Sequence, residues 1–300
     1  MEKEITGLIP PIPTAFGTDE ELLCDQYCAN IEKWNKQGYS GYVVLGSNGE
    51  FVHLSEAERL KVVESARQVI PRDKLMIVGA GQNSTRETIA FILRVASMRA
   101  DAVMVGTPHY YREMVKLEHL MSHYQKIADS SPIPVILYNV PQFTGISLTA
   151  EVVARLAEHP NIVGIKDSSG ILALLAEILR LTPSRFSVLI GSAPLFFPAL
   201  ALGAKGAILA VSSVAPEACL ELMASVASNH YSRAAELQLK LLPVARAVTT
   251  QFGIGGLKAA LDLIGFYGGP PRSPLPPADE KVRAEIKAIF RASGLFERLN

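Results

Sequence analysis

The chain lacks an excess of charge of either sign. Its 300 residues hold 29 Lys and Arg and 29 Asp and Glu, so the formal net charge is zero. Surfaces that bind nucleic acid or anionic lipid carry a basic excess, and the sequence provides none. The expected ligand is therefore a small neutral or anionic metabolite.

Cysteines and long apolar runs are also scarce. Cys24, Cys28 and Cys219 are odd in number and lack zinc-type spacing, which argues for reduced thiols in a reducing compartment. No apolar stretch reaches the ~20 residues that span a bilayer. The opening "MEKEITGLIPPIPTAF" has neither a transit-peptide nor a signal-peptide pattern. We expect a cytoplasmic protein, or a mitochondrial one if a transit peptide is missing from this sequence.

What the sequence has in quantity is short, continuous runs of Val, Ile and Leu. Such runs are typical of parallel strands that are buried on both faces. Seven of them are clear, and the first segment supplies a possible eighth: "GLIPPIPTAF", "GYVVLGS", "KLMIVGAG", "DAVMVGTP", "IPVILYNV", "NIVGIKDS", "FSVLIGSA" and "KGAILAVSS".

Helical segments alternate with these runs. One begins with Ser55 and Glu58 in the spacing of a capping box. Eight strand–helix units predict an α/β fold, a (β/α)8 TIM barrel with a C-terminal helical extension. We place the barrel at residues 1–215 and the extension at 216–300. The alternative is a doubly wound open sheet, but the sequence has no G-x-G-x-x-G turn.

Polar side chains follow the predicted strands, where barrel enzymes carry their active sites. Lys166 ends the sixth strand. Burial disfavours the charged form of a lysine, and a neutral amine can attack a ketone to form a Schiff base. The structural alternative is an ion pair with Asp167 or another acid, although Asp167 should point to the opposite face of its strand.

Three other features favour the catalytic interpretation. Tyr110 and Tyr138 are phenols at strand ends that can transfer a proton, although a buried tyrosine is more often a packing residue. The "GSNGE" stretch places Ser47 and Asn48 between glycines, as in a carboxylate-binding nest or an ordinary turn. Together the features predict a site for a 2-oxo acid.

At these motifs the sequence resembles the dihydrodipicolinate synthase and N-acetylneuraminate lyase superfamily of class I pyruvate aldolases. The resemblance covers "GSNGE", "TPHYY", "YNVPQFTG" and "GIKDSSG" in order along essentially the whole chain. It implies a Schiff base on the lysine of the last motif and no cofactor or metal. It also implies a homotetramer, built as a dimer of dimers.

Residue roles carry over from this resemblance. Lys166 matches the Schiff-base lysine, Tyr138 the proton shuttle, and Tyr110 the tyrosine that reaches into a neighbouring subunit's site. Ser47 and Asn48 match the residues that bind the carboxylate of pyruvate. A further position, Ile208, matches an apolar residue of the pyruvate pocket.

One departure bears on the substrate. Dihydrodipicolinate synthases carry an arginine two residues before the glycine of "YNVPQFTG", where this chain has Phe143. A phenyl ring cannot bind a carboxylate as an arginine does. This favours the related 4-hydroxy-2-oxoglutarate aldolases, which "TPHYYR" and "FYGGPPRSPL" also resemble and which release pyruvate and glyoxylate. The alternatives are aldolases for 2-oxo-3-deoxy sugar acids or N-acetylneuraminate, dihydrodipicolinate synthesis, and a non-enzymatic 2-oxo acid sensor or scaffold.

The histidines show no ligand-like clustering. His109, beside Tyr110, is a candidate for contact with substrate. His119, His123 and His159 lie in predicted helices or loops, where we expect solvated or capping roles for most of them.

Overall fold

The computed structural model describes residues 4–296, and its strands form one eight-stranded sheet. The strands are β1 (Gly7–Leu8), β2 (Gly41–Val44), β3 (Leu75–Gly79), β4 (Ala102–Gly106), β5 (Val135–Asn139), β6 (Ile162–Asp167), β7 (Ser187–Ile190) and β8 (Gly206–Ala207). Their order in the sheet is β1-β8-β7-β6-β5-β4-β3-β2. This sequential order is that of a (β/α)8 barrel and excludes the strand-order reversal of a doubly wound sheet. The predicted fold class is confirmed.

Each predicted apolar run contains a strand. All five residues of β5 are buried, and so are all four of β7, as expected for strands covered on both faces. The first run contributes only two residues as β1. Its prolines, at positions 10, 11 and 13, lack the N–H that a longer strand would need.

Twelve α-helices accompany the strands in the described part of the chain. They are α1 (Cys24–Trp34), α2 (Glu56–Val69), α3 (Thr85–Ser97), α4 (Leu117–Ser130), α5 (Pro141–Thr144), α6 (Ala150–Leu156), α7 (Leu172–Leu181), α8 (Phe196–Ala201), α9 (Pro216–Ala227), α10 (Tyr231–Arg246), α11 (Gly253–Leu263) and α12 (Glu280–Ser293). The capping box of α2 is present: Glu58 N–H donates to Ser55 Oγ, and Ser55 N–H donates to Glu58 Oε2. None of the helices within residues 4–296 is long and apolar enough to cross a membrane.

The chain folds into two compact units. Within the described residues, the first combines residues 4–7 with Leu75–Ile208, and the second combines Leu8–Lys74 with residues 209–296. Strands β3 to β8 lie in the first unit and pair in parallel throughout. The elements described after β8 are helical, and the domain boundary at residue 215 stays a prediction. The three cysteines are free thiols.

Candidate active site

Two of the predicted site residues stand side by side in the first unit. Tyr138 on β5 pairs in register with Lys166 on β6. Because residues paired in register point to the same face of a sheet, the phenol and the amine share one face at the carboxyl ends of their strands. The strand order therefore brings together residues that are distant in sequence.

The Lys166 side chain is buried against an aromatic ring. Lys166 is 5% exposed, and its Nζ lies 4.3 Å from the centroid of the Tyr138 ring. In residues 4–296 no carboxylate forms an ion pair with it, so the ion-pair alternative from the sequence finds no partner. A buried amine beside a phenol is an arrangement that can form an iminium and transfer a proton.

Asp167, the next residue, points away from this amine as predicted. Its Oδ1 accepts hydrogen bonds from Asn139 Nδ2 at 2.7 Å and Ser169 N–H at 3.3 Å, and its Oδ2 accepts one from Ser169 Oγ at 2.8 Å. Asn139 in turn accepts a hydrogen bond from Leu148 N–H at 3.0 Å. Burial raises the pKa of Asp167, whereas these hydrogen bonds act in the opposite direction. Asp167 therefore holds the ends of β5 and β6 together on the face opposite the amine.

The lysine has a close neighbour that the sequence interpretation missed. Gly191, just after β7, donates its N–H to the carbonyl of Asp167 at 2.7 Å. A Cβ at position 191 would collide with Ser168 Oγ and would stand only 3.0 Å from Lys166 Cε. The glycine leaves room for the lysine side chain. The available signal was the position of Gly191 at a strand end, which several other glycines share.

Thr107 is a second residue that was not singled out. It follows β4 directly and is 3% exposed, and its Oγ1 is buried without a hydrogen-bond partner among the described residues. A buried hydroxyl without a partner carries a free-energy cost, which a bound ligand can remove. Its position within "TPHYY" was the only sequence signal.

Tyr110, in contrast, projects outward. It lies on the loop between β4 and α4 and is 75% exposed. The backbone N–H groups of His109 and Tyr110 both donate to Asn83 Oδ1, at 2.9 and 3.0 Å, which fixes where the loop leaves β4. The structure therefore does not bring Tyr110 into the pair formed by Tyr138 and Lys166.

In the second unit, Ser47 and Asn48 begin a 3₁₀ turn directly after β2. The amide Nδ2 of Asn48 is buried without a hydrogen-bond partner among residues 4–296. Two non-glycine residues flank this turn in the left-handed region, Leu45 at φ 58° and Glu50 at φ 54°. Such conformations cost free energy and cluster at functional sites.

A buried ion pair holds Glu50 in place. Lys258 Nζ on α11 lies 2.7 Å from Glu50 Oε1, and both side chains are fully buried. Nζ also donates to the Pro270 carbonyl at 2.9 Å, and Arg272 N–H donates to Glu50 Oε2 at 2.9 Å. Burial lowers the pKa of Lys258, and the charge of Glu50 opposes that change. The turn that contains Asn48 is thus held in place by contacts with residues between 258 and 272.

The remaining predicted residues are less informative. Ile208 follows β8, is 1% exposed, and donates its N–H to the Ile190 carbonyl at 2.9 Å. His119 caps the start of α4 by accepting a hydrogen bond from Lys116 N–H at 3.1 Å, as predicted. His123 departs from the expectation because it is buried. No group of three or more His, Cys, Asp or Glu in the described part of the chain is arranged to hold a metal ion.

Comparisons with known proteins agree with this geometry. The sequence profile of the Dihydrodipicolinate synthetase family matches residues 4–293. A 4-hydroxy-tetrahydrodipicolinate synthase of Methanothrix thermoacetophila is 39% identical over 285 residues, which cover 95% of each chain.

Solved structures match over nearly the whole chain. A prophage protein of E. coli K12 from the dihydrodipicolinic acid synthase family, in complex with pyruvate, has a TM-score of 0.91 and 32% identity, covering 97% of this chain and 99% of that chain. A monomeric dihydrodipicolinate synthase variant has the same TM-score and identity, covering 97% of this chain and 98% of that chain.

Proposed function

Because the chain belongs to the dihydrodipicolinate synthetase family, whose members are pyruvate-dependent carbon–carbon lyases, we propose that Lys166 is its Schiff-base residue. Aldolases of this family bind pyruvate covalently through a lysine and need no external cofactor. The observation that carries the assignment is the buried contact of Lys166 with Tyr138 at the ends of β5 and β6.

The mechanism follows from these two side chains. The Lys166 amine attacks C2 of a 4-hydroxy-2-oxo acid, and loss of water gives an iminium. Tyr138 accepts the proton of the C4 hydroxyl as the C3–C4 bond breaks, and the bonding electrons pass into the iminium to form an enamine. Protonation at C3 and hydrolysis then release pyruvate and the free amine. Condensation is the same sequence in reverse.

The carboxylate of pyruvate needs hydrogen-bond donors, and we assign it to Ser47 and Asn48. The buried Nδ2 of Asn48, which has no partner among the described residues, supports this assignment. Ile208 supplies an apolar wall in the same proposal.

One candidate for the complete reaction is cleavage of 4-hydroxy-2-oxoglutarate to pyruvate and glyoxylate. Phe143 supports it, because an exposed phenyl ring stands where dihydrodipicolinate synthases carry an arginine. The second candidate is 4-hydroxy-tetrahydrodipicolinate synthesis from pyruvate and a semialdehyde. The names of the relatives favour this second candidate and give it the more direct support.

One set of assays separates the candidates. Purified protein is offered 4-hydroxy-2-oxoglutarate, a 2-oxo-3-deoxy sugar acid and N-acetylneuraminate with pyruvate release as the readout, and pyruvate plus aspartate semialdehyde in the synthetic direction. Lys166→Ala is the control. Borohydride with pyruvate should add a covalent adduct, detected by mass, to the wild type and not to the variant. An adduct on Lys166→Ala, or none on the wild type, contradicts the assignment.

A further inference from the structure

Because Phe143 replaces the family arginine, another cationic group is needed to bind the carboxylate of the aldehyde substrate. Glyoxylate and the semialdehyde of the two candidate reactions each carry a carboxylate. A carboxylate is bound best by a guanidinium, whose paired N–H groups match its two oxygens. Phe143 offers no such group, and its side chain is 68% exposed.

Few other cations lie near the ends of the strands in the first unit. Apart from Lys166, the segments that follow β3 to β7 contain basic residues only between β4 and α4: His109, Arg112 and Lys116. Arg112 is the single guanidinium among them.

Arg112 reaches the segment that contains Phe143. Gly145 ends the short helix α5, two residues after Phe143, with φ at +68°. A Cβ on Gly145 would stand 2.7 Å from Arg112 Nη1 and 2.9 Å from Arg112 Cδ. The Arg112 side chain therefore lies directly over the Gly145 backbone, whose positive φ favours glycine.

The backbone of Arg112 is held as well. It begins a 3₁₀ turn in which Val115 N–H donates to the Arg112 carbonyl at 3.2 Å. Its side chain is 57% exposed, and Nε donates to Glu113 Oε1 at 3.3 Å. An ion pair this exposed contributes little free energy, so Glu113 is a weak competitor for a substrate carboxylate.

We propose that Arg112 binds the carboxylate of the aldehyde half of the substrate, in place of the arginine that Phe143 replaces. The inference rests on the proposed Schiff-base function and extends it by naming the substrate class, an aldehyde that bears a carboxylate. Either candidate reaction satisfies it. It provides a guanidinium for a charged aldehyde in a chain that has Phe143 in place of the family arginine.

The test compares a charged with an uncharged aldehyde. Three proteins are assayed: the wild type, Arg112→Met and Glu113→Gln. Each is offered pyruvate with glyoxylate, which is charged, or with acetaldehyde, which is not. Aspartate semialdehyde is assayed as a second charged aldehyde. A hydrogen bond to a charged group that the bound substrate shields from water is worth about 1.5–3 kcal/mol. Arg112→Met should therefore lower the glyoxylate-to-acetaldehyde ratio of kcat/KM by about tenfold to a hundredfold, mainly through KM for glyoxylate. Glu113→Gln should retain the wild-type ratio.

A double variant that moves the guanidinium from position 112 to position 143 distinguishes carboxylate binding by Arg112 from its packing in the loop between β4 and α4. In the double variant Arg112→Met with Phe143→Arg, the preference for glyoxylate should return, because a guanidinium again faces the substrate. An unchanged ratio in Arg112→Met, or equal losses for both aldehydes with no recovery in the double variant, overturns the proposal.

Borohydride trapping with pyruvate alone keeps the two proposals apart. If the wild type forms the adduct and Arg112→Met keeps the wild-type glyoxylate-to-acetaldehyde ratio of kcat/KM, only the role of Arg112 is contradicted. Absence of the adduct from the wild type removes the Schiff-base function itself.

Discussion

At the scale of single residues, the space around Lys166 depends on the lack of a side chain at Gly191. A Cβ at Gly191 would collide with Ser168 Oγ and approach Lys166 Cε to 3.0 Å. The backbone of Gly191 cannot retreat easily, because its N–H is hydrogen-bonded to the Asp167 carbonyl at 2.7 Å. The lysine or the serine must move instead.

Gly191→Ala should therefore displace the reactive amine without removing it. A displacement of about 1 Å can lower a catalytic rate by about a hundredfold, so we expect kcat to fall by about tenfold to a hundredfold. Single-turnover trapping of the pyruvate adduct with borohydride measures the step concerned. Adding Ser168→Ala frees space and should restore part of the rate. Wild-type trapping kinetics in Gly191→Ala would show that this contact is unimportant.

The proximity of Lys166 and Tyr138 could be predicted from sequence, whereas their surroundings could not. Lys166 and Tyr138 each end an apolar run, and parallel strands bring such ends to one rim. Gly191 and Thr107 matter through contacts that only the folded chain defines. The ion pair of Glu50 with Lys258 joins residues from distant parts of the sequence, and nothing in either local pattern indicates it.

At the scale of secondary structure elements, the contact between α3 and α4 contains a buried histidine. His123 on α4 is 6% exposed, and its Nδ1 lies 2.8 Å from Thr85 Oγ1 on α3. Its Nε2 is buried without a partner in the described part of the chain. Burial lowers the pKa of His123 to about 4. Leu120, Tyr124 and Ile127 on the same helix are also buried, and their helical spacing was the overlooked sequence signal.

This histidine should make the fold sensitive to acid. Because the unfolded chain takes up the proton near pH 6.5 and the folded chain only near pH 4, its stabilising contribution is present above pH 6.5 and is lost as the pH falls. The loss amounts to about 3 kcal/mol in the free energy of unfolding by about pH 4. Urea denaturation of wild type and His123→Asn across this range measures it, since the carboxylates contribute equally to both. Parallel stability curves for the two proteins would contradict the prediction.

At the scale of the whole molecule, the loop between β4 and α4 carries an exposed apolar patch. Tyr110, Tyr111 and Met114 are 75%, 68% and 73% exposed, and Leu117 at the start of α4 is 50% exposed. The rings of Tyr110 and Tyr111 pack edge to face with centroids 4.9 Å apart. Clustered exposed apolar side chains are typical of protein–protein interfaces. The patch is our candidate for a subunit contact in the homotetramer that the family resemblance implies. One solved neighbour is a monomeric variant, so the assembly is tested directly.

If Tyr110 serves the site of a neighbouring subunit, two inactive variants should complement each other. Lys166→Ala retains Tyr110, and Tyr110→Phe retains Lys166, so a hybrid dimer contains one site with both groups. With random pairing in a two-fold dimer, half of the dimers are hybrids with one of two sites intact, and about a quarter of the wild-type activity should return. Co-expression of the two differently tagged chains, with the mass of the assembly from light scattering, measures both quantities. Each variant purified alone is the control. A monomeric mass, full activity of Tyr110→Phe alone, or no recovery in hybrids of confirmed composition would show that each subunit completes its own site without Tyr110 of a neighbour.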